Sequence, residues 1–389
     1  MKEIKLVNNT IDTNDIEELI KWLKTNPKLT KGNLTVEFEK KWSEWLGKKY
    51  SVFLNSGSSA NLAMVYSLLL SNRLRNNKII LPSVSWTTTV TPTIHLGMEP
   101  ILCECDSETL GLDIPHLKEI IKRDKPSVLM LVHVLAFPNK MDEIIELCND
   151  NDVILLEDSC ESIGSEYKGV KTGQFGLMSS FSFYYGHHIS TIEGGMVSTD
   201  DEEMYNLLLS IRSHGWDRDF SEEHQTEIRK KYNVSDFRAL YTFYYPGFNL
   251  RSTDLQAFIG LSQIKKIDEF SKKRSYNYKI YHDLIINPYW KIKNEKHCFY
   301  SNFAYPVITK NIVELVEELK NNNIEVRPLV CGSIGLQPYW VELYGKQSFK
   351  FADKVHKYGL YLPNNPDLNI DDIEFICDIV NKHTSENIT

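Results

Sequence analysis

Ser179-Ser180-Phe181-Ser182-Phe183-Tyr184-Tyr185-Gly186-His187-His188-Ile189-Ser190-Thr191-Ile192-Glu193-Gly194-Gly195-Met196-Val197 is the stretch on which the reading of this chain turns. Its Ser-Phe start reads as a strand. Two adjacent histidines follow, and then Glu193-Gly194-Gly195. An imidazole titrates near neutrality, so His187 can take up or release a proton at physiological pH. His188 is read as an ordinary loop histidine whose side chain points away from that of its neighbour.

Toward the N-terminus the pattern is one of alternating strands and helices. Apolar runs at 101–105, 127–132 and 153–157 alternate with helices around 115–121 and 141–148, which predicts a mostly parallel sheet covered on both faces. The run ending in Glu157-Asp158-Ser159-Cys160-Glu161 puts carboxylates at a strand's carboxyl end, where doubly wound sheets bind ligands. Trp86, just past the strand 78–81, has the same placement. Residues 50–54 form a short strand that enters Asn55-Ser56-Gly57-Ser58-Ser59-Ala60-Asn61 and then an apolar helix. Strand, glycine turn and helix make an anion site, because free N–H groups and the positive end of the helix dipole meet there, with Ser58 and Ser59 as further donors.

Taken together and in order, Gly57-Ser58, Trp86, Asp158, Ser182-Phe183, Glu193-Gly194-Gly195, Asn249 and Arg327-Pro328 resemble the DegT/DnrJ/EryC1/StrS family. These are fold-type I pyridoxal phosphate (PLP) enzymes that modify nucleotide-linked keto-sugars. The resemblance implies an α/β fold of the aspartate aminotransferase kind, with a mostly parallel seven-stranded sheet between helices and a smaller C-terminal α+β domain. Residues 1–255 are expected to form the large domain and 256–389 the small one, a division in keeping with a chain too long for one ordinary core.

Where the aminotransferases of the family carry a lysine, this chain has His187. A lysine amine forms a Schiff base with the PLP aldehyde and an imidazole cannot, so the cofactor is expected to be held non-covalently, with His187 as the catalytic base. The His-His pair resembles the sugar 3-dehydratase branch. The resemblance implies that Gly57 and Ser58 bind the cofactor phosphate, Trp86 stacks on its ring, Asp158 pairs with the ring nitrogen, and Glu161 and Ser182 also contact it. It implies that Tyr184, Arg218 and Arg327 meet the substrate, and that Asn249 donates to the partner subunit's cofactor in a homodimer with shared sites. L-glutamate is the expected amino donor, cycling PLP to pyridoxamine phosphate (PMP). The expected substrate is a GDP-linked 4-keto-6-deoxy sugar, hexose or heptose, that loses its C3 hydroxyl on the way to a surface polysaccharide.

Alternative readings stand beside this one. A sugar aminotransferase could use another lysine such as Lys171. An iron–sulfur 3-dehydrase needs several thiolates together, yet residues 220–236 hold no cysteine. A non-catalytic PLP-fold binding protein is the third. The seven cysteines are scattered, as free thiols of a reducing compartment are, and no metal is expected; Cys103 and Cys105 read as packing residues on one face of a strand. A net charge of −8 argues against nucleic-acid and membrane-surface partners, and no apolar stretch is long enough to span a bilayer. A cytoplasmic protein is expected.

Three local expectations complete the reading. The first helix is capped by Asn14, with Ile16, Leu19, Ile20 and Leu23 as its apolar stripe. A long helix covers 257–270. Lys272-Lys273-Arg274, with Tyr276 and Tyr278, reads as an exposed helix face.

Overall fold

The computed structural model describes residues 3–384. Seven strands build the main sheet: β1 (Tyr50–Leu54), β2 (Lys78–Pro82), β3 (Glu99–Cys103), β4 (Val128–Val132), β5 (Ile154–Asp158), β6 (Met178–Ser182) and β7 (Gly195–Thr199). Their order is β1-β7-β6-β5-β4-β2-β3. The pairs from β3 through β6 are parallel, and only β7 runs against its neighbours β1 and β6.

Strands buried on both faces need apolar side chains in both directions. In β4, Val128 and Met130 pack on one side with Ala60, Ala63 and Met64 of α3 (Gly57–Leu70), while Leu129 and Leu131 pack on the other with Leu117 and Ile120 of α5 (Ile114–Asp124) and Ile144 of α6 (Met141–Asp150). The helices α1 (Thr13–Leu23) and α2 (Asn33–Leu46) precede the sheet, α4 (Thr87–His95) follows β2, and α7 (Glu202–Arg212) and α8 (Glu222–Lys231) follow β7. Because β1 and β2 to β6 share a direction, residues after Leu54, Pro82, Val132, Asp158 and Ser182 emerge at one edge.

Beyond α9 (Asp254–Gln263) and α10 (Ile267–Leu284), a three-stranded antiparallel sheet has β10 (Gly359–Leu362) between β8 (Tyr305–Ile308) and β9 (Arg327–Pro328), with α11 (Ile312–Asn321) and α12 (Ile370–Thr384). Ile4 bridges to Ile324, which brings the chain's first described residues onto this second sheet.

Several expectations need correction. Asp12, not Asn14, caps α1, in a capping box with Asp15 whose carboxylate is buried by Lys266 and Gln263. The α1 stripe of Ile16, Ile20 and Leu23 is exposed on the single chain. The 257–270 helix is interrupted by a 3-10 turn at Ile264–Lys266. Cys105 lies past the end of β3 and packs with Val132 and Phe137, in a different cluster from Cys103, so the two do not share a strand face. Arg274 and Tyr278 are buried, leaving Lys272 and Tyr276 as the exposed part of their segment. On α10, residues 267, 271, 274, 278 and 281 recur at helical spacing and are all buried, so the basic run straddles two faces.

Candidate active site

The shared strand edge opens into a cavity of about 450 Å³. Gly57, Ser58, Trp86, Asp158, Glu161, Ser182, Tyr184, His187 and Arg327, all singled out from sequence, lie on its wall. Two others do not. Arg218 is exposed, stacks 3.5 Å from the Trp216 ring and donates to the Leu240 carbonyl. Asn249 is exposed beside Ser213, to which it is bridged.

The anion cradle follows from close packing. Ser56 caps α3, its Oγ accepting from the Ser59 N–H at 3.1 Å, which leaves the N–H groups of Gly57 and Ser58 unspent at the helix start. A Cβ on Gly57 would stand 2.6 Å from Ser182 Cβ, and one on Gly195 would stand 2.2 Å from the Ser56 carbonyl oxygen. The Glu-Gly-Gly run is therefore a steric requirement: only glycine lets β7 come against the turn that carries the cradle.

On the floor, Asp158 Oδ2 accepts from Asn61 Nδ2 at 2.8 Å and Thr89 Oγ1 at 2.7 Å, and Oδ1 accepts from the Cys160 N–H at 3.1 Å. Asn61 is itself held by Ser180 Oγ at 2.5 Å. Three donors fix the direction of the carboxylate, which suits an acceptor for a protonated ring nitrogen. Glu161 is different. Its Oε2 accepts from the Leu135 N–H at 2.8 Å, and burial pushes its carboxyl up to about 7. Leu135 and Ala136 hold positive φ angles of 49° and 74°, an unusual backbone for such residues that aims the Leu135 N–H at Glu161.

His187 Nδ1 lies 2.8 Å from the Cys160 carbonyl. A carbonyl only accepts, so Nδ1 carries the hydrogen and Nε2 keeps the lone pair. Burial lowers the imidazole to about 4, so it stays neutral at physiological pH. His188 faces the other way, with Nε2 2.6 Å from the Ser301 carbonyl. Among the described residues lining the cavity there is no lysine. Lys171 sits elsewhere, donating to the Trp45 carbonyl at 2.9 Å.

Sequence reading gave no role to Asn61, Thr89, Arg274, Glu193, Glu325 or Tyr361, which also line the cavity. Asn61 was in plain view, one helical turn beyond Ser58. Leu6 and Val7 join them: the Leu6 N–H donates to Glu325 Oε2 at 3.1 Å, and Glu325 also pairs with Arg327. Among the described residues no group of three or more His, Cys, Asp or Glu side chains gathers as a metal site would, and no helix is long and apolar enough to cross a membrane.

A twisted α/β sheet with a helix-start anion cradle, a fixed carboxylate and a polar cavity at its strand ends defines a fold-type I, aminotransferase-like enzyme scaffold. Residues 9–381 match the model of the DegT/DnrJ/EryC1/StrS aminotransferase family, and the chain belongs to that family. It is 34% identical over 385 residues to GDP-4-keto-6-deoxy-D-mannose 3-dehydratase of Yersinia pseudotuberculosis, covering 94% of this chain and 95% of that one. A crystal structure of GDP-4-keto-6-deoxymannose-3-dehydratase with a trapped PLP-glutamate geminal diamine superposes with a TM-score of 0.88 at 32% identity, covering 97% of this chain and all of that one. The Escherichia coli enzyme of the same name with bound hydrated PLP gives 0.88 at 32% identity, over 98% of this chain and 99% of that one.

Proposed function

We propose that this protein is a PLP- and PMP-dependent, glutamate-using 3-dehydratase of a GDP-linked 4-keto-6-deoxy sugar. The observation that carries the reading is a neutral imidazole, with its lone pair on Nε2, on the wall of a cavity whose described lining holds no lysine. The likeness to dehydratases across nearly the whole chain supports it.

The residues fit the cofactor. Gly57 and Ser58 offer N–H and hydroxyl donors to a phosphate, Asp158 offers a fixed acceptor to the ring nitrogen, Trp86 offers a flat face, and Glu161 stands by for the ring hydroxyl. When bound, the cofactor supplies an electron sink for a carbanion at the carbon bearing its amine. His187 Nε2 is the atom that would take up and return the proton, while the Nδ1–H bond to Cys160 holds the ring at one tautomer and angle. Tyr184 and Arg327, on the wall of the same cavity, are assigned to the sugar. Arg218 and Asn249 are assigned to a partner's site, since both are exposed and off their own cavity. Residues 256–389 are taken as the smaller domain.

In balance, the sugar loses its C3 oxygen, glutamate becomes 2-oxoglutarate, and ammonia is released. The test is a panel of nucleotide-linked 4-keto-6-deoxy sugars given with PLP and glutamate. A 3,6-dideoxy product by mass, with 2-oxoglutarate and ammonia in equal amounts, is expected from a GDP-linked member. A 4-amino sugar as the product would instead make the protein an aminotransferase.

A further inference from the structure

Arg274 is 4% exposed, yet it lies on the wall of the cavity. Its Nη1 donates to the carbonyls of Phe303 at 3.0 Å and Asn364 at 2.6 Å, and its Nε is buried without a partner. Among the described residues no carboxylate pairs with it. A buried guanidinium served only by carbonyls is an expensive arrangement, because a cation taken out of water is normally repaid by a counter-charge. Burial alone draws its basicity down to about 10, still far above neutrality, so it remains charged. The second cation of the lining, Arg327, is already paired with Glu325.

Position narrows the ligand. Burial is the main cause of the lowered basicity of His187 and His188, and Arg274 is near enough to both for its charge to add to it. A phosphate has its own cradle at the start of α3. The group that must come close to the base is the amino donor, whose α-carboxylate is attached to the carbon losing its proton. We propose that Arg274 is the anchor for the α-carboxylate of the amino donor, its planar fork meeting two carboxylate oxygens beside His187. This rests on the glutamate-using reading above.

The test uses full-length, PLP-loaded protein and 2-methylglutamate, a donor analogue with no α-hydrogen to lose, titrated by calorimetry. Arg274→Gln is expected to raise its Kd by about 30-fold, the scale of a lost charge-assisted hydrogen bond, with Kd for GDP changing less than about threefold. Arg274→Lys, which keeps the charge and loses the fork, falls between. 4-Aminobutyrate, which lacks the α-carboxylate, binds the wild type and Arg274→Gln alike. Unchanged 2-methylglutamate binding in Arg274→Gln overturns the assignment alone. Failure of the wild type to bind 2-methylglutamate overturns the donor reading and this assignment with it. Equal loss of GDP and 2-methylglutamate binding, or loss of the thermal unfolding transition in both variants, makes Arg274 a scaffold residue and also overturns it.

Discussion

On the proposed reading, His187 works through the hydrogen it does not carry on Nε2. The Cys160 carbonyl pins the proton on Nδ1, and burial keeps the ring neutral, so the Nε2 lone pair stays free of a proton across the physiological range. His187→Asn is expected to bind PLP and lose dehydration by roughly 10²–10⁴-fold, the usual worth of a positioned general base. Absorbance titration and product analysis separate the two, and full activity in that variant removes His187 from the mechanism. The same residue predicts a stability slope. The unfolded imidazole takes up a proton near 6.5, whereas the folded one resists until about 4. Its contribution is therefore complete above 6.5 and is lost as pH falls toward 4. Denaturant midpoints of the protein without cofactor should fall less over that window in His187→Asn than in the wild type. Glu161 titrates in the opposite sense. Its carboxyl, raised to about 7, is a neutral donor below that pH and a carboxylate above it. PLP affinity is expected to fall as pH rises through 7, with Glu161→Gln flattening the profile. What sequence could tell at this scale was uneven. The histidine in a lysine's place was legible because its neighbours frame it. Arg274 was not, because three consecutive basic residues look like a solvated face until helical spacing puts one of them with Ser271 and Tyr278.

The decisive element is the junction of β1, α3 and β7. Serine capping, a helix start and two strands converge there with no room for a methyl group, which explains why a motif distant in sequence from Gly57 is part of the same cradle. Gly195→Ala must displace the Ser56 backbone, and the overpacking is expected to cost at least about 1–3 kcal/mol, read as a lower denaturant midpoint together with weaker PLP binding. A stable variant with wild-type affinity for PLP would falsify the steric account. The main-sheet elements were legible because strands buried on both faces are written as short apolar runs between turn residues. The second sheet was less so. Its strands β8 and β9 are short, and apolar character around them serves packing as much as pairing, so no long run marks them. The role of residues 4–7 left no periodic mark at all, since a bridge at Ile4 and one N–H to Glu325 place them.

At the scale of the whole molecule, a single chain leaves too much apolar surface in view. Ile16, Ile20 and Leu23 of α1, together with Phe237, Leu240, Tyr241 and Phe243 on the segment carrying Arg218 and Asn249, are exposed. Apolar faces of that extent mark protein contacts, and Arg218 and Asn249, the two predicted site residues that miss the cavity of their own chain, lie on or beside this surface. Both facts fit the proposed homodimer, in which each copy completes the other's site. Complementation tests it. His187→Asn breaks the site of its own chain, whereas Asn249→Ala breaks the site of its partner. When the two variants are mixed, half of the dimers are mixed pairs. In each of these, both defects fall on the same site: the His187→Asn chain's own site also lacks the Asn249 of the other copy. The second site is intact. Refolding the two inactive variants together at equal amounts should thus restore about a quarter of wild-type sites, provided closed two-fold pairing holds. If Asn249 served its own chain, each mixed pair would carry one broken site from each variant and no activity would return. Sedimentation of the same mixture distinguishes that outcome from a failure to exchange subunits.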